Sequence, residues 1–254
     1  MTKLKIGFLS ITGCQGCLLS FIFNENEILD ILDFIDLKAF PFIKEVNADE
    51  KFDYIFMEGL VASERDLEDL KKARANAKYL VALGACAHTG CVPAYRQFTL
   101  KENYAHLIYK KDNKDVKPTP LEDHVRVDFT IPGCPPDKQE ILQFIKSVAN
   151  RKIPKQYTDP VCVECRKNGN RCLLIAGKPC LGPITVGGCD AVCINGKFEC
   201  WGCRGPSKDM HLELMIKLLR KKGYSADFIK DRMRTFVGLK QPMLEKMMDE
   251  DDKA

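Results

Sequence analysis

The chain has 254 residues, 45% hydrophobic and 29% charged, ordinary proportions for a soluble globular protein with one large core or two modest ones. Its 39 basic and 35 acidic side chains are spread along the sequence and leave a net charge of only +4, with no basic block or RNA-binding aromatic motif, which argues against nucleic acid as the main partner. The opening MTKLKIGFLS is too short an apolar run for a signal peptide, and no stretch of about 18 apolar residues spans a membrane, so a cytoplasmic protein without a membrane partner is expected.

In chain order, short apolar strands alternate with helices through residues 1–152. Residues 3–11 read as the first strand, followed by one amphipathic helix over 17–34. Further strands are predicted at 36–42, 52–59, 78–85 and 125–133. Between them, 63–77 is a helix with Ser63 as N-cap and acidic residues in its first turn, and 135–152 is another, opened by prolines. This alternation predicts an α/β fold, a doubly wound and mostly parallel sheet whose ligands collect beyond the carboxyl ends of the strands.

The linker IPKQYTDP then separates this first domain, 1–152, from a second, 153–254, in which the alternation stops. Eight cysteines fall within residues 162–203, a density that argues against an apolar core and for inserted cofactors that organise the segment. Helices are predicted over 210–222 and 226–248, with Met210, Met215, Met233, Met243, Met247 and Met248 on exposed helix faces, before a solvated acidic tail, DEDDKA.

Thirteen cysteines in a cytoplasmic chain call for an explanation. A disulfide framework wants an oxidising compartment and an even count. Here the CxxC spacings crowd thiols together, which suits metal ligation better. Cys14 and Cys17 follow the first predicted strand, Cys86 follows the fourth and Cys134 the fifth, each at a turn marked by Gly13, Gly84 or Gly133. Four thiolates would therefore converge on one edge of the sheet and form a metal site. In the second domain a zinc ribbon could pair Cys162 and Cys165 with Cys200 and Cys203, but it leaves four further thiols unexplained. Iron–sulfur clusters take four thiolates each, so twelve cysteines would serve three of them with one left over. Spacing favours clusters and leaves zinc open.

The motifs TGCQGC (12–17), MEG (57–59), GACAHTG (84–90) and PGCPP (132–136) resemble the N-terminal domain of the small subunit of nickel–iron hydrogenases, and C…CLGP…C…CWGCRGP resembles its C-terminal cluster pattern. The resemblance covers about residues 1–206. It implies a flavodoxin-like first domain holding a proximal 4Fe-4S cluster on Cys14, Cys17, Cys86 and Cys134. It further implies an irregular iron–sulfur domain, with a distal cluster on Cys162, Cys165, Cys172 and Cys180 and a medial one on Cys189, Cys193, Cys200 and Cys203.

Two departures matter. Many members of the family have a His in place of Cys162, and many lack a fourth medial ligand; here both positions are thiols, which implies 4Fe-4S clusters of low potential at both sites. That pattern fits the cytoplasmic, bidirectional branch that includes the NADP-linked, sulfur-reducing archaeal sulfhydrogenases. The implied partners are a large subunit carrying the nickel–iron site and diaphorase-type subunits carrying flavin and iron–sulfur centres. DPVCVEC (159–165) only superficially echoes a nickel-binding motif, since Val161 breaks it, so no nickel is expected in this chain.

Other residues have duller readings beside the sharper ones. Cys91 stands where the family usually has glycine and reads as a small buried thiol, the other reading being a ligand in place of Cys86. Glu58 is either an ordinary strand-end carboxylate or a group that tunes the cluster or relays protons. His88 could donate a hydrogen bond to cluster sulfur, while His106, His124 and His211 are not expected at metal sites. Two rivals stand against the hydrogenase reading. One is the cluster subunit of a complex-I-like respiratory assembly, whose members usually carry a tandem Cys-Cys where this chain has CQGC. The other is a zinc- or disulfide-stapled binding module.

Overall fold

The computed structural model describes residues 3–43, 50–94, 117–236 and 244, so His106 and the acidic tail lie outside the described residues. The chain divides into two compact units, Met1–Lys155 and Gln156–Ala254.

Unit 1 is built on a five-stranded sheet with β1 (Leu4–Ser10), β2 (Ile35–Ala39), β3 (Phe52–Glu58), β4 (Ala77–Leu83) and β5 (Phe129–Ile131) in the order β2-β1-β3-β4-β5. Every pairing is parallel. This is the flavodoxin-like doubly wound order, with its topological switch point between β1 and β3. The strands read as nearly unbroken apolar runs because both faces are covered. Phe56, Val81 and Leu83 face one layer, with Leu18, Phe21, Ile141 and Ile145; Ile55, Met57, Leu80 and Ala82 face the other, with Leu70 and Ala73.

The helices are α1 (Gly16–Ile22), α2 (Glu25–Leu32), α3 (Glu64–Asn76), α4 (Gly84–Thr89) and α5 (Lys138–Ala149). The single helix predicted over 17–34 is therefore two. Asn24 breaks it, its buried amide donating to the carbonyls of Phe21 and Lys138 rather than continuing the helix. The strand predicted over 36–42 ends at Ala39, and that predicted over 125–133 is paired only over Phe129–Ile131. Just before it, Asp128 N–H still donates to Leu80 O, but the Leu80 N–H goes to the Asp128 carboxylate, which also accepts from Arg74, rather than to a backbone carbonyl.

Unit 2 holds the short helices α6 (Val161–Lys167) and α7 (Val192–Asn195), then α8 (Leu212–Lys221) and α9 (Ala226–Arg234). A turn follows at 235–236, so the helix predicted over 226–248 stops early within the described residues, and the remainder of that prediction lies outside them apart from Leu244. The expectation that cysteine density excludes an apolar core is overturned. Val161, Leu181, Ile184 and Ile194 pack with Leu212, Met215, Ile216, Leu219, Ile229 and Met233 around three of the buried thiols. Met215 and Met233 are thus core residues rather than exposed helix positions, and Met210 packs against the same core. Among the described residues no helix is long and apolar enough to cross a membrane.

Candidate metal centres

The first thiol set lies beyond the carboxyl ends of the strands, at the switch point. After β1 the chain runs on beside the end of β3, with Ile11 N–H donating to Glu58 O and Leu60 N–H to Thr12 O. Gly59 permits this approach, since a Cβ there would stand 2.7 Å from Thr12 O. Cys14 is exposed in the following turn, and Gln15, in a left-handed conformation, opens α1 with Cys17 in its first turn. Cys86 lies in α4, directly after β4, and Cys134 follows β5. Ala85 N–H donates to Gly133 O at 2.8 Å and ties these two turns together.

The thiols converge. Burial pushes the Cys17 thiol up, and the charges of Glu58, Cys86, Cys134 and Cys14 push it further. Ionising any of the set makes the next ionisation costlier, a repulsion that a cationic core bound among them would relieve. Gly84, at φ +89, leaves the room for this packing, because a Cβ there would overlap Cys17 Sγ. No disulfide joins any of the thirteen cysteines.

Two further groups complete the set. Cys91 is buried, at φ 48, and its thiol bonds with both Cys134 and Cys86. That bond holds the thiol of the exposed Cys134 below the ordinary thiol range. Glu58 is 1% exposed, and burial raises its carboxyl even though Cys17 and Gln15 donate to it. Its Oε2 is buried without a hydrogen-bond partner. Since α1 has no capping side chain of its own, Glu58 takes the place of an N-cap from a neighbouring strand.

In unit 2, Cys162, Cys165, Cys172 and Cys180 form the second convergent set. The Cys162 thiol is pushed up to about 11 by burial and by the charges of the other three. Gly182 lies against this set, and a Cβ there would make ordinary contacts of 3.4 Å with Cys162 Sγ and 3.5 Å with Cys180 Sγ. Cys200 sits where this set meets the next. Its N–H donates to Cys180 Sγ at 3.4 Å, and burial raises its thiol, with the charges of Cys180 and Cys203 adding to the effect. Cys189 is raised by burial, while Arg204, its dominant neighbouring charge, opposes the rise. Arg204 is fully buried, donates to Gly187 O at 2.8 Å and lies over the Tyr157 ring. Cys193 is exposed on α7, four residues beyond Cys189.

The eight cysteines of the first two sets are therefore gathered as two groups of four. Of the remaining four, Cys200 and Cys203 are drawn together, while Cys189 is governed by Arg204 and Glu164 and Cys193 faces outward. His88 is half-buried on α4, and His124 bonds to Thr119 Oγ1 at 2.7 Å. Among the described residues no three His, Cys, Asp or Glu side chains close to the spacing of a single ion. A cubane, by contrast, carries its four thiolates on four separate irons and needs a wider cradle. The first two donor sets and the clearance at Gly84 fit such clusters. Sequence reasoning missed Asp66, Arg204 and Arg232 around these sites. Only Asp66 had a local signal, the Ser-x-x-Asp pattern beginning at Ser63.

Residues 14–148 match the family described as NADH ubiquinone oxidoreductase, 20 Kd subunit. Sulfhydrogenase 2 subunit delta of Pyrococcus furiosus is 39% identical over 237 residues, covering 92% of this chain and 99% of the relative. A subunit of the F420-non-reducing hydrogenase of Methanocaldococcus jannaschii is 31% identical over 267 residues, with 90% and 92% covered. Among solved structures, an NAD+-reducing NiFe hydrogenase in the H2-reduced state matches with a TM-score of 0.56 and 26% identity, over 61% of this chain and 96% of that one.

Proposed function

The chain belongs to the NADH ubiquinone oxidoreductase 20 Kd subunit family, in its hydrogenase small-subunit branch, and on that footing we propose that it is the electron relay of a NiFe hydrogenase complex. The relay consists of three 4Fe-4S clusters between the H2-converting site of a large subunit and a flavin-bearing diaphorase-type partner that handles NAD(P). The complex acts on sulfur or polysulfide as well, a reading supported by the name of its Pyrococcus relative.

The observation that carries the proposal is the gathering of Cys14, Cys17, Cys86 and Cys134 at the switch point of a parallel sheet. One-electron transfer at low potential is the chemistry such clusters supply when bound. The chain's own residues do the rest. Cys14, Cys17, Cys86 and Cys134 hold the proximal cluster, Cys162, Cys165, Cys172 and Cys180 the distal one, and Cys189, Cys193, Cys200 and Cys203 the medial one. Glu58 fixes the first turn of α1 under Cys17, and Gly84 keeps the first cradle open. Cys17, Cys180 and Cys200 are buried and Cys14, Cys134, Cys172 and Cys193 exposed, so each site is shielded from water on one side and open on the other.

Iron and acid-labile sulfide per chain, measured anaerobically with EPR of the dithionite-reduced complex, test the proposal. About twelve iron and twelve sulfide with interacting S = ½ signals are expected. About eleven iron with a three-iron signal on oxidation would remove Cys193, the outward-facing member, from the ligands. Zinc without sulfide would overturn the relay and leave a structural module.

A further inference from the structure

Helix α9 lies outside the motifs that carry the family resemblance, yet it delivers the least expected side chain in unit 2. Arg232 is 4% exposed. Its guanidinium lies 3.3 Å from the centroid of the Trp201 ring, Nη2 donates to Cys200 O at 3.3 Å, and Nη1 stands 3.6 Å from Glu199 Oε1. Nε is buried with no hydrogen-bond partner. A guanidinium taken out of water is costly unless it is well paired and hydrogen-bonded. Among the described residues the cation has one long ion pair, one long hydrogen bond and an aromatic face, so these compensate it only partly.

The guanidinium bears on the backbone of Cys200 itself, through the bond from Nη2 to Cys200 O, and through Cys200 N–H on Cys180 as well. These two cysteines belong to different ligand sets, joined by the bond from Cys200 N–H to Cys180 Sγ. We infer that Arg232 is a positioning residue at this junction, holding the Glu199–Trp201 segment through its plane and raising, through its charge, the reduction potentials of the clusters held by Cys180 and Cys200. The sign follows from electrostatics: a cluster gains negative charge on reduction, and a fixed cation in a water-poor site stabilises the reduced form. Trp201, 44% exposed, covers the guanidinium with its ring.

This inference rests on the relay proposed above, so the intact complex is assayed first for iron; a wild-type complex without iron and sulfide defeats the relay before any variant is considered. With the relay in place, R232Q and R232K are compared by EPR-monitored potentiometric titration. In R232Q the midpoints of the two unit 2 clusters are expected to fall by about 59 mV, a tenfold change in the reduced-to-oxidised ratio at fixed potential. The cluster on the Cys14 set stays in place, and R232K, which keeps the charge, shifts far less. Unchanged midpoints in R232Q overturn the inference. So does an equal shift of all three clusters, or an R232K shift as large as that of R232Q. If R232Q does not load its full iron, W201L is titrated instead. Releasing the guanidinium from its aromatic face should lower the same two midpoints by less, and unmoved midpoints there overturn the inference.

Discussion

Cys91 shows how far one side chain's role depends on its surroundings. It follows Gly90 at the end of α4, in a left-handed conformation that a non-glycine residue adopts at some cost, and it is buried. The thiol this conformation presents bonds to two others, Cys86 and Cys134. Removing it separates a hydrogen-bonding role from a ligating one. In C91A the iron content of the complex is expected to equal that of the wild type, with only the proximal EPR signal altered. A loss of about four iron per chain would make Cys91 a ligand. G84A gives the complementary result: its Cβ has no room beside Cys17 Sγ and its backbone no low-energy conformation at φ +89, so the same four iron are expected to be lost.

At the scale of elements, the β1–α1 turn that carries Cys14 is tied to α3 by a single carboxylate. Asp66 accepts from Thr12 N–H and Thr12 Oγ1, from Ala62 N–H and from Ser63 Oγ. Ser63 returns the bond by accepting from Asp66 N–H, so the N-cap of α3 and the cysteine turn share one network. Taking away a buried acceptor strands its donors, at a cost of about 1–3 kcal/mol. D66A is therefore expected to speed hydrogen exchange of the Thr12 and Ala62 amides by on the order of a hundredfold. Peptides from the far side of the sheet should keep their protection. Unchanged exchange at Thr12 would show that the turn is held by its neighbours on β3 alone.

For the whole molecule, each unit has its own source of order. Unit 1 draws on two apolar layers over a parallel sheet, including the stacked rings of Phe8, Phe21 and Phe56. Unit 2 has no sheet among the described residues, but α8 and α9 bury Met215, Leu219, Ile229 and Met233 against the cysteine-bearing loops. Met233 is fully buried, and M233A should destabilise unit 2 by about 2–5 kcal/mol through the cavity it leaves. Limited proteolysis of the loaded complex checks this: cleavage within residues 156–236 is expected to accelerate, with residues 3–94 unaffected. Equal protection of both regions would mean that cofactors, and not the apolar helices, hold unit 2 together.

The sequence by itself determined the existence and order of the five strands of unit 1 (though not the ends of β2 and β5), their parallel pairing and the place of the first four thiols after them. Those features are written locally, in apolar runs that end in glycine and cysteine, and a doubly wound sheet brings the ends of such runs to one edge. Ser63 was legible as a cap for the same reason. Only the tertiary structure decided the break at Asn24, the apolar core of unit 2, the entry of Cys91 among the thiols of the Cys14 set and the burial of Arg232 against Cys200. Each of these depends on groups from segments distant in sequence, where burial and charge are set by packing and leave no periodic mark in the chain.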